Sequence, residues 1–362
     1  MKAARHPGWW NLAIGIPVAL SLVVPIWLAA QERSSVAAPQ EDTCVIDPDG
    51  TARVTRVVPV PKTISPEAQK FVARPAPTGP ELTLAERRSH TDLFRIGRAK
   101  EARELFPVDV KEQTIGGVRC DVISPLETPP AKRDRVLINV HGGGFNSDSG
   151  SLVEGIPIAN LTATTVVSVY YRLAPEHPFP AAVDDTEAVY KELLKTHKSE
   201  KIGLFGTSAG AILTAEVAVR LRRDGLPLPG VLGIFSGTGD ITRPGDSQAL
   251  YTIWGFGGSL HPPTGAPHDS EYVGSTDPKD PVLAPIHADL KGFPPTLFVT
   301  STRDLLLSGT SDLDRAFLRA GVEAQLVVFE ALPHAFWYDY HLPETREALG
   351  IMARFFDMHL GG

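Results

Sequence analysis

Lys201-Ile202-Gly203-Leu204-Phe205-Gly206-Thr207-Ser208-Ala209-Gly210-Ala211-Ile212-Leu213 is the stretch around which the chain is organised. Ile202 to Phe205 is a short apolar run of the length a buried strand needs, and residues 211–223 read as a helix. Only small residues lie between them, with Ser208 where strand must turn sharply into helix. Gly206-Thr207-Ser208-Ala209-Gly210 is a G-x-S-x-G elbow. A serine there is held in a strained backbone conformation. Gly206 and Gly210 leave room for the neighbouring strand and helix, and the hydroxyl stands clear at the top of a sheet. The N–H of Ala209 points at whatever oxygen turns negative during attack. By itself the pentapeptide reads equally well as a plain strand–turn–helix, so its flanks decide.

Upstream, Val136 to Val140 reads as a buried strand and runs directly into His141-Gly142-Gly143-Gly144-Phe145. Three glycines after such a strand let backbone N–H groups approach a ligand closely, which makes this the second half of an oxyanion site if Ser208 is a nucleophile. His141 reads as a loop-fixing residue with no chemical role. Residues 118–123 and 165–171 read as further strands. The second runs into the proline-rich loop Tyr171-Arg172-Leu173-Ala174-Pro175-Glu176-His177-Pro178, which stops both helix and sheet. A helix over 184–195 leads back to the elbow strand. Downstream come strands at 230–235, 295–300 and 323–329 and helices at 308–320 and 344–359. Alternating strands and helices imply an α/β fold with a mostly parallel sheet flanked by helices.

Active groups of such a sheet gather at the carboxyl ends of its strands. Asp304 follows the strand ending at Thr300, and His334 follows the strand ending at Phe329. A serine is a poor nucleophile at neutral pH. A histidine that takes its proton, and a carboxylate that fixes the imidazole tautomer, together overcome this. Ser208, Asp304 and His334 stand in the chain order nucleophile, acid, base. Asp304 also reads as a cap for the helix near Ser308. Asp280 is a rival acid that precedes its strand, and Asp312 lies within a helix.

Taken together, the His141–Phe145 run, Tyr171 to Glu176, the Gly206–Gly210 elbow, Asp304 and Pro333-His334-Ala335-Phe336 resemble the hormone-sensitive-lipase-like family of α/β-hydrolases, in the subgroup with threonine in the elbow. The likeness runs from about residue 65 to the end of the chain. It implies an α/β-hydrolase fold carrying a helical cap built from residues 65–106 and 240–273, and carboxylic-ester hydrolysis without a cofactor. Carried onto this chain, Ser208 is the nucleophile, His334 the base and Asp304 the acid. Gly143, Gly144 and Ala209 supply the oxyanion N–H groups, and Gly142 shapes their loop. Phe145, Trp254, Phe256 and Phe336 are the expected substrate contacts. The ester would be a small molecule with a short acyl chain; lactones, activated amides and long-chain lipids are the alternatives. A binding protein of the same fold is the competing class, though such relatives usually lack a member of the triad.

The N-terminus departs from most relatives. Lys2 and Arg5 precede an almost wholly apolar stretch over 11–30, interrupted by Pro17 and Pro25 and ending in Ala29-Ala30. This describes an export signal, with an uncleaved membrane anchor as the alternative. Residues 1–30 are the only expected membrane contact, and location is expected to be periplasmic, secreted or anchored. Residues 31–64 read as linker. Export would allow the two cysteines, Cys44 and Cys120, to pair; two separate thiols is the other reading. A formal net charge of −7 without any Lys/Arg-rich tract argues against nucleic acid as a partner. No residue cluster has metal-ligand spacing.

Overall fold

The computed structural model describes residues 41–75, 82–253, 255–257 and 271–360. The expected export segment and Trp254 lie outside these. Among the described residues no helix is long and apolar enough to cross a membrane. The chain divides into two units, one up to Pro59 and one from Val60.

The first unit corrects the linker reading. β1 (Thr43–Ile46) pairs antiparallel with β2 (Ala52–Thr55). The turn is closed by the N–H of Gly50 on the Asp47 carbonyl, 2.9 Å, and by the N–H of Thr51 on the Asp49 carboxylate, 2.9 Å. Asp47-Pro48-Asp49-Gly50 is turn chemistry. The flanking strands are exposed on both faces, so no apolar–polar alternation marks them in the sequence. Cys44 is an exposed free thiol and Cys120 a buried one. Burial pushes the Cys120 thiol up to about 12.

The second unit begins with α1 (Pro66–Val72), capped by Ser65, and α2 (Leu84–Leu105), opened by a capping box between Thr83 and Glu86. An eight-stranded sheet follows, built from β3 (Val108–Ile115), β4 (Val118–Pro125), β5 (Val136–Val140), β6 (Thr165–Val169), β7 (Ile202–Thr207), β8 (Val231–Phe235), β9 (Thr296–Arg303) and β10 (Ala324–Pro333). Their order is β10-β9-β8-β7-β5-β6-β4-β3. The pairs β3–β4 and β4–β6 are antiparallel and the rest parallel. The helices are α3 (Ser151–Thr162), α4 (Ala181–Leu193), α5 (Ala209–Arg223), α6 (Asp246–Tyr251), α7 (Leu307–Arg319) and α8 (Pro343–His359).

The central strands β5, β7 and β8 are buried throughout, as a sheet covered on both faces requires. Period-two alternation sorts their side chains into two cores. Ile138, Val140, Leu204 and Ile234 join α4, α5 and α7 on one face. Leu137, Phe205, Phe235 and Val299 join α3 and α8 on the other. The same alternation sends Asn139, Ser168 and Thr207 to the α3 face. The expected strands and helices are all present, and most differences are a residue or three at the ends. β10 runs on to Pro333, past an irregularity in its pairing with β9 between Phe329 and Pro333, and so delivers His334 directly.

Candidate active site

Ser208 follows β7 and precedes α5, with φ 61° and ψ −122°, a conformation that costs about 1–3 kcal/mol for a residue bearing a Cβ. The fold enforces it. The Ser208 N–H donates to the Phe235 carbonyl at 2.9 Å, and the Ser208 carbonyl accepts from Ile212 at 3.1 Å. Strand and helix close so tightly on β5 that a Cβ at Gly210 would sit 1.9 Å from the Val140 carbonyl oxygen, and one at Gly206 2.2 Å from the same atom. The G-x-S-x-G spacing therefore follows from packing.

The His141–Phe145 loop lies against this elbow. A Cβ at Gly142 would come 3.3 Å from the Ser208 Cβ. Gly143 takes φ +112°, and a side chain there would meet the Ser147 carbonyl at 2.2 Å. Among the described residues the N–H groups of Gly143, Gly144 and Ala209 have no backbone acceptor. Their loop is fixed from behind. The His141 ring stacks on Tyr171 at 4.1 Å, and the Tyr171 hydroxyl donates to the His141 carbonyl at 2.6 Å. His141 is buried, as a loop-fixing role requires. Arg88 of α2 clamps the loop to its neighbours, donating to the carbonyls of Asn146 and Ala174 at 2.6 and 2.9 Å and forking onto Glu176. This explains the acid in Tyr171-Arg172-Leu173-Ala174-Pro175-Glu176.

Asp304 lies just past β9 and is fully buried. One carboxylate oxygen faces His334 Nδ1 at 2.8 Å and accepts the Leu306 N–H at 2.9 Å. The other accepts the hydroxyls of Ser236 and of Thr300, the latter at 2.8 Å. Burial pulls this carboxyl upward. The facing His334 and the hydrogen bonds outweigh it, so the group sits below the ordinary aspartate range. The rival acids are engaged elsewhere. Asp280 accepts the Val282 N–H at 2.8 Å, and Asp312 pairs with Arg315 on the surface.

Two expected substrate contacts are corrected. Phe145, at φ 63°, is 1% exposed and stacks on Tyr272 with centroids 3.4 Å apart. Phe336 is 2% exposed and packs on Phe329 and Trp337. Each ring is drawn inward by apolar neighbours beneath its loop and leaves no face for a ligand. Phe256 lies in the 240–273 stretch, with the Arg303 guanidinium 4.7 Å from its ring centroid and Tyr251 beside it at 5.7 Å. Segment 240–273 is tied to the acid loop, since Ser247 donates to the Leu305 carbonyl at 2.9 Å and accepts the Ser308 N–H at 2.9 Å. Among the described residues no group of three or more His, Cys, Asp or Glu could hold a metal ion.

The sequence reading missed the polar floor of the site: Ser236 and Thr300 under Asp304, and Trp337, Tyr338 and Glu154 under the elbow. Trp337 Nε1 donates to the Thr207 hydroxyl at 3.0 Å, and the Tyr338 hydroxyl donates to Glu154. One signal was visible. Glu154 is the only charge in the otherwise apolar or small run from Ser151 to Ala159, and such a helix is buried on most sides.

Comparison with known proteins agrees with this architecture. A profile of the alpha/beta hydrolase fold matches residues 137–338. An acetyl-hydrolase of Streptomyces hygroscopicus is 34% identical over 62% of this chain and 77% of its own. An esterase of Acinetobacter venetianus is 28% identical over 69% of this chain and 84% of its own. Among solved structures, esterase E25 matches with TM-score 0.73 and 33% identity, over 84% of this chain and 97% of that one. An esterase from the bacterial hormone-sensitive lipase family matches with TM-score 0.69 and 28% identity, over 82% and 99%. The chain belongs to the α/β-hydrolases, in the hormone-sensitive-lipase-like family.

Proposed function

We propose that this chain is a serine carboxylesterase that cleaves small esters with short acyl groups through an acyl-enzyme. The observation that carries this reading is the 2.8 Å pair of His334 Nδ1 and buried Asp304 at the same sheet edge as the strained Ser208. With Asp304 holding the Nδ1 proton, Nε2 is free to take the Ser208 proton during attack. The developing oxyanion would lie on the N–H groups of Gly143, Gly144 and Ala209, each such donor lowering the barrier by about 3 kcal/mol. His334 then returns the proton to the leaving alcohol, and water repeats the sequence on the acyl-enzyme. A fluorophosphonate probe tests the reading: one adduct, on Ser208, is expected. An intact protein that takes none would be a binding protein of this fold.

The short-acyl preference draws support from relatives named acetyl-hydrolase and esterase and from segment 240–273, whose Phe256 and Tyr251 stand beside Arg303, next to Asp304. With Phe145 and Phe336 withdrawn into the core, a closed acyl pocket depends on that segment. Each methylene that found an open channel would gain ~0.8 kcal/mol, whereas a closed pocket turns chain length into overlap. Measured over p-nitrophenyl esters in detergent-free buffer, kcat/KM is expected to peak between acetate and hexanoate. A steady rise to palmitate, or a jump at a lipid–water interface, would make the protein a lipase.

Residues 1–30 are read as an export signal rather than an anchor, because positive residues precede the apolar core and small residues follow it. The mature N-terminus is expected near Gln31. Terminal sequencing that finds the leader intact in a membrane fraction would establish an anchor instead.

A further inference from the structure

Near the carboxyl ends of β6, β5 and β7, the residues facing α3 are Ser168, Asn139 and Thr207, all buried. An apolar core has no use for three polar side chains in a row. Opposite them α3 brings Glu154, itself 3% exposed. A carboxyl group in that position is costly unless fully hydrogen-bonded, and this one is. Asn139 Nδ2 donates to one oxygen at 3.1 Å and the Tyr338 hydroxyl donates to the other. The Thr207 hydroxyl, which accepts from Trp337 Nε1 at 3.0 Å, also favours the charged form of this carboxyl. The Ser168 hydroxyl donates its one proton to the Ser151 carbonyl of α3 at 2.6 Å, with the Asn139 side-chain oxygen a second, longer neighbour at 3.2 Å.

The partners of Glu154 are what give it a role. Thr207 is the residue before Ser208. Tyr338 lies in the 3-10 turn Phe336–Tyr338, just after His334. The same turn reaches Thr207 through Trp337 Nε1. The turn that Glu154 holds thus joins, from beneath, the two backbone segments that carry Ser208 and His334. Those segments belong to non-adjacent strands, β7 and β10, with β8 and β9 between them. The contacts beneath the elbow therefore tie Ser208 and His334 more directly than the strand ladder, which runs through two intervening strands.

We propose that Glu154 is a positioning residue of this hydrolase: by bonding Tyr338 and Asn139 it fixes the Phe336–Tyr338 turn, which follows His334 and whose Trp337 bonds Thr207 of the Ser208 elbow, and so holds the elbow and the His334 loop in register. The inference rests on Ser208 and His334 acting as proposed above. Glu154 touches no reacting atom, and its effect is on geometry alone. A misplacement of about 1 Å between reacting groups costs on the order of 100-fold in rate.

The test uses the full-length enzyme, with active sites counted by fluorophosphonate titration so that any misfolded fraction drops out of kcat. Glu154→Leu removes every acceptor at similar size. It is expected to lower kcat per titrated site by about 100-fold while KM stays within about two-fold. Burial pushes the Glu154 carboxyl up to about 8, so near neutrality it holds a proton, and Glu154→Gln is its close copy. That variant should recover most of the lost rate. Tyr338→Phe cuts only one arm and should lower kcat several-fold. A kcat per titrated site within two-fold of wild type in Glu154→Leu would overturn the proposal. Should that variant yield no folded protein, an unchanged kcat in Tyr338→Phe would do the same. Failure of wild type to take the probe at Ser208 would instead sink the triad reading.

Discussion

Replacing Ser208 by alanine is expected to lower kcat by about a million-fold and leave the fold in place. The magnitude follows from the division of labour at the elbow. Without the hydroxyl no acyl-enzyme forms, and His334 has no proton to accept. The oxyanion N–H groups remain, so a residual acceleration of about 10³–10⁴ over water should persist. Stability should barely move. The two backbone hydrogen bonds of residue 208, to Phe235 and from Ile212, do not involve the side chain. Alanine also keeps the Cβ and with it the positive-φ strain. Steady-state kinetics beside thermal unfolding checks both halves, and near-normal turnover by a folded variant would remove Ser208 from the mechanism.

The second large effect is expected at Asp304, where the identity of the replacement matters. Asp304→Ala should cost about 10⁴-fold in kcat, the scale seen when the acid of a serine-hydrolase triad is removed alone. Asp304→Asn should cost less, for a reason specific to this site. The oxygen that faces His334 also accepts the Leu306 N–H, a fixed backbone donor, at 2.9 Å. An asparagine must therefore present its carbonyl oxygen there and its amide towards Ser236 and Thr300. Those two are hydroxyls, which can rotate from donating to accepting. The Nδ1–H tautomer of His334 survives, and only the negative charge is lost. The expected order of kcat is wild type, then Asn, then Ala. If asparagine proves as damaging as alanine, the Leu306 N–H does not orient residue 304.

These expectations could be framed from the sequence because backbone rules dictate so much of the site. A serine between glycines at a strand end, glycines at the end of β5, and an acid and a histidine after the last two strands are consequences of chain direction in a parallel sheet. Side-chain direction was far less legible. Phe145 and Phe336 border the expected site in sequence, but the core drew both rings inward. Nothing local to those residues announces that a tyrosine far downstream stacks on one of them. The floor of the site was hidden for the same reason. Asn139, Thr207 and Glu154 belong to three separate elements, and their convergence appears only when strand alternation is combined with the position of α3. The β1–β2 hairpin was missed because periodicity reports burial, and that hairpin is exposed.

The Phe145–Tyr272 stack has a consequence for the order in which the molecule is assembled. Phe145 belongs to the His141–Phe145 loop, whereas Tyr272 ends the stretch that departs from the strand–helix alternation. Tyr272 is anchored in turn by its hydroxyl on buried Glu216 of α5, 2.5 Å away, and by its carbonyl, which accepts the Phe179 N–H at 2.7 Å. β5, β7 and the elbow helix leave the ribosome early. The Tyr272 ring that stacks on Phe145 comes only afterwards, and Asp304 and His334 later still. Synthesis runs from the N-terminus, so Ser208 is made well before Asp304 and His334, the residues proposed to let it act. Competence to cleave an ester is accordingly among the last properties the nascent chain acquires.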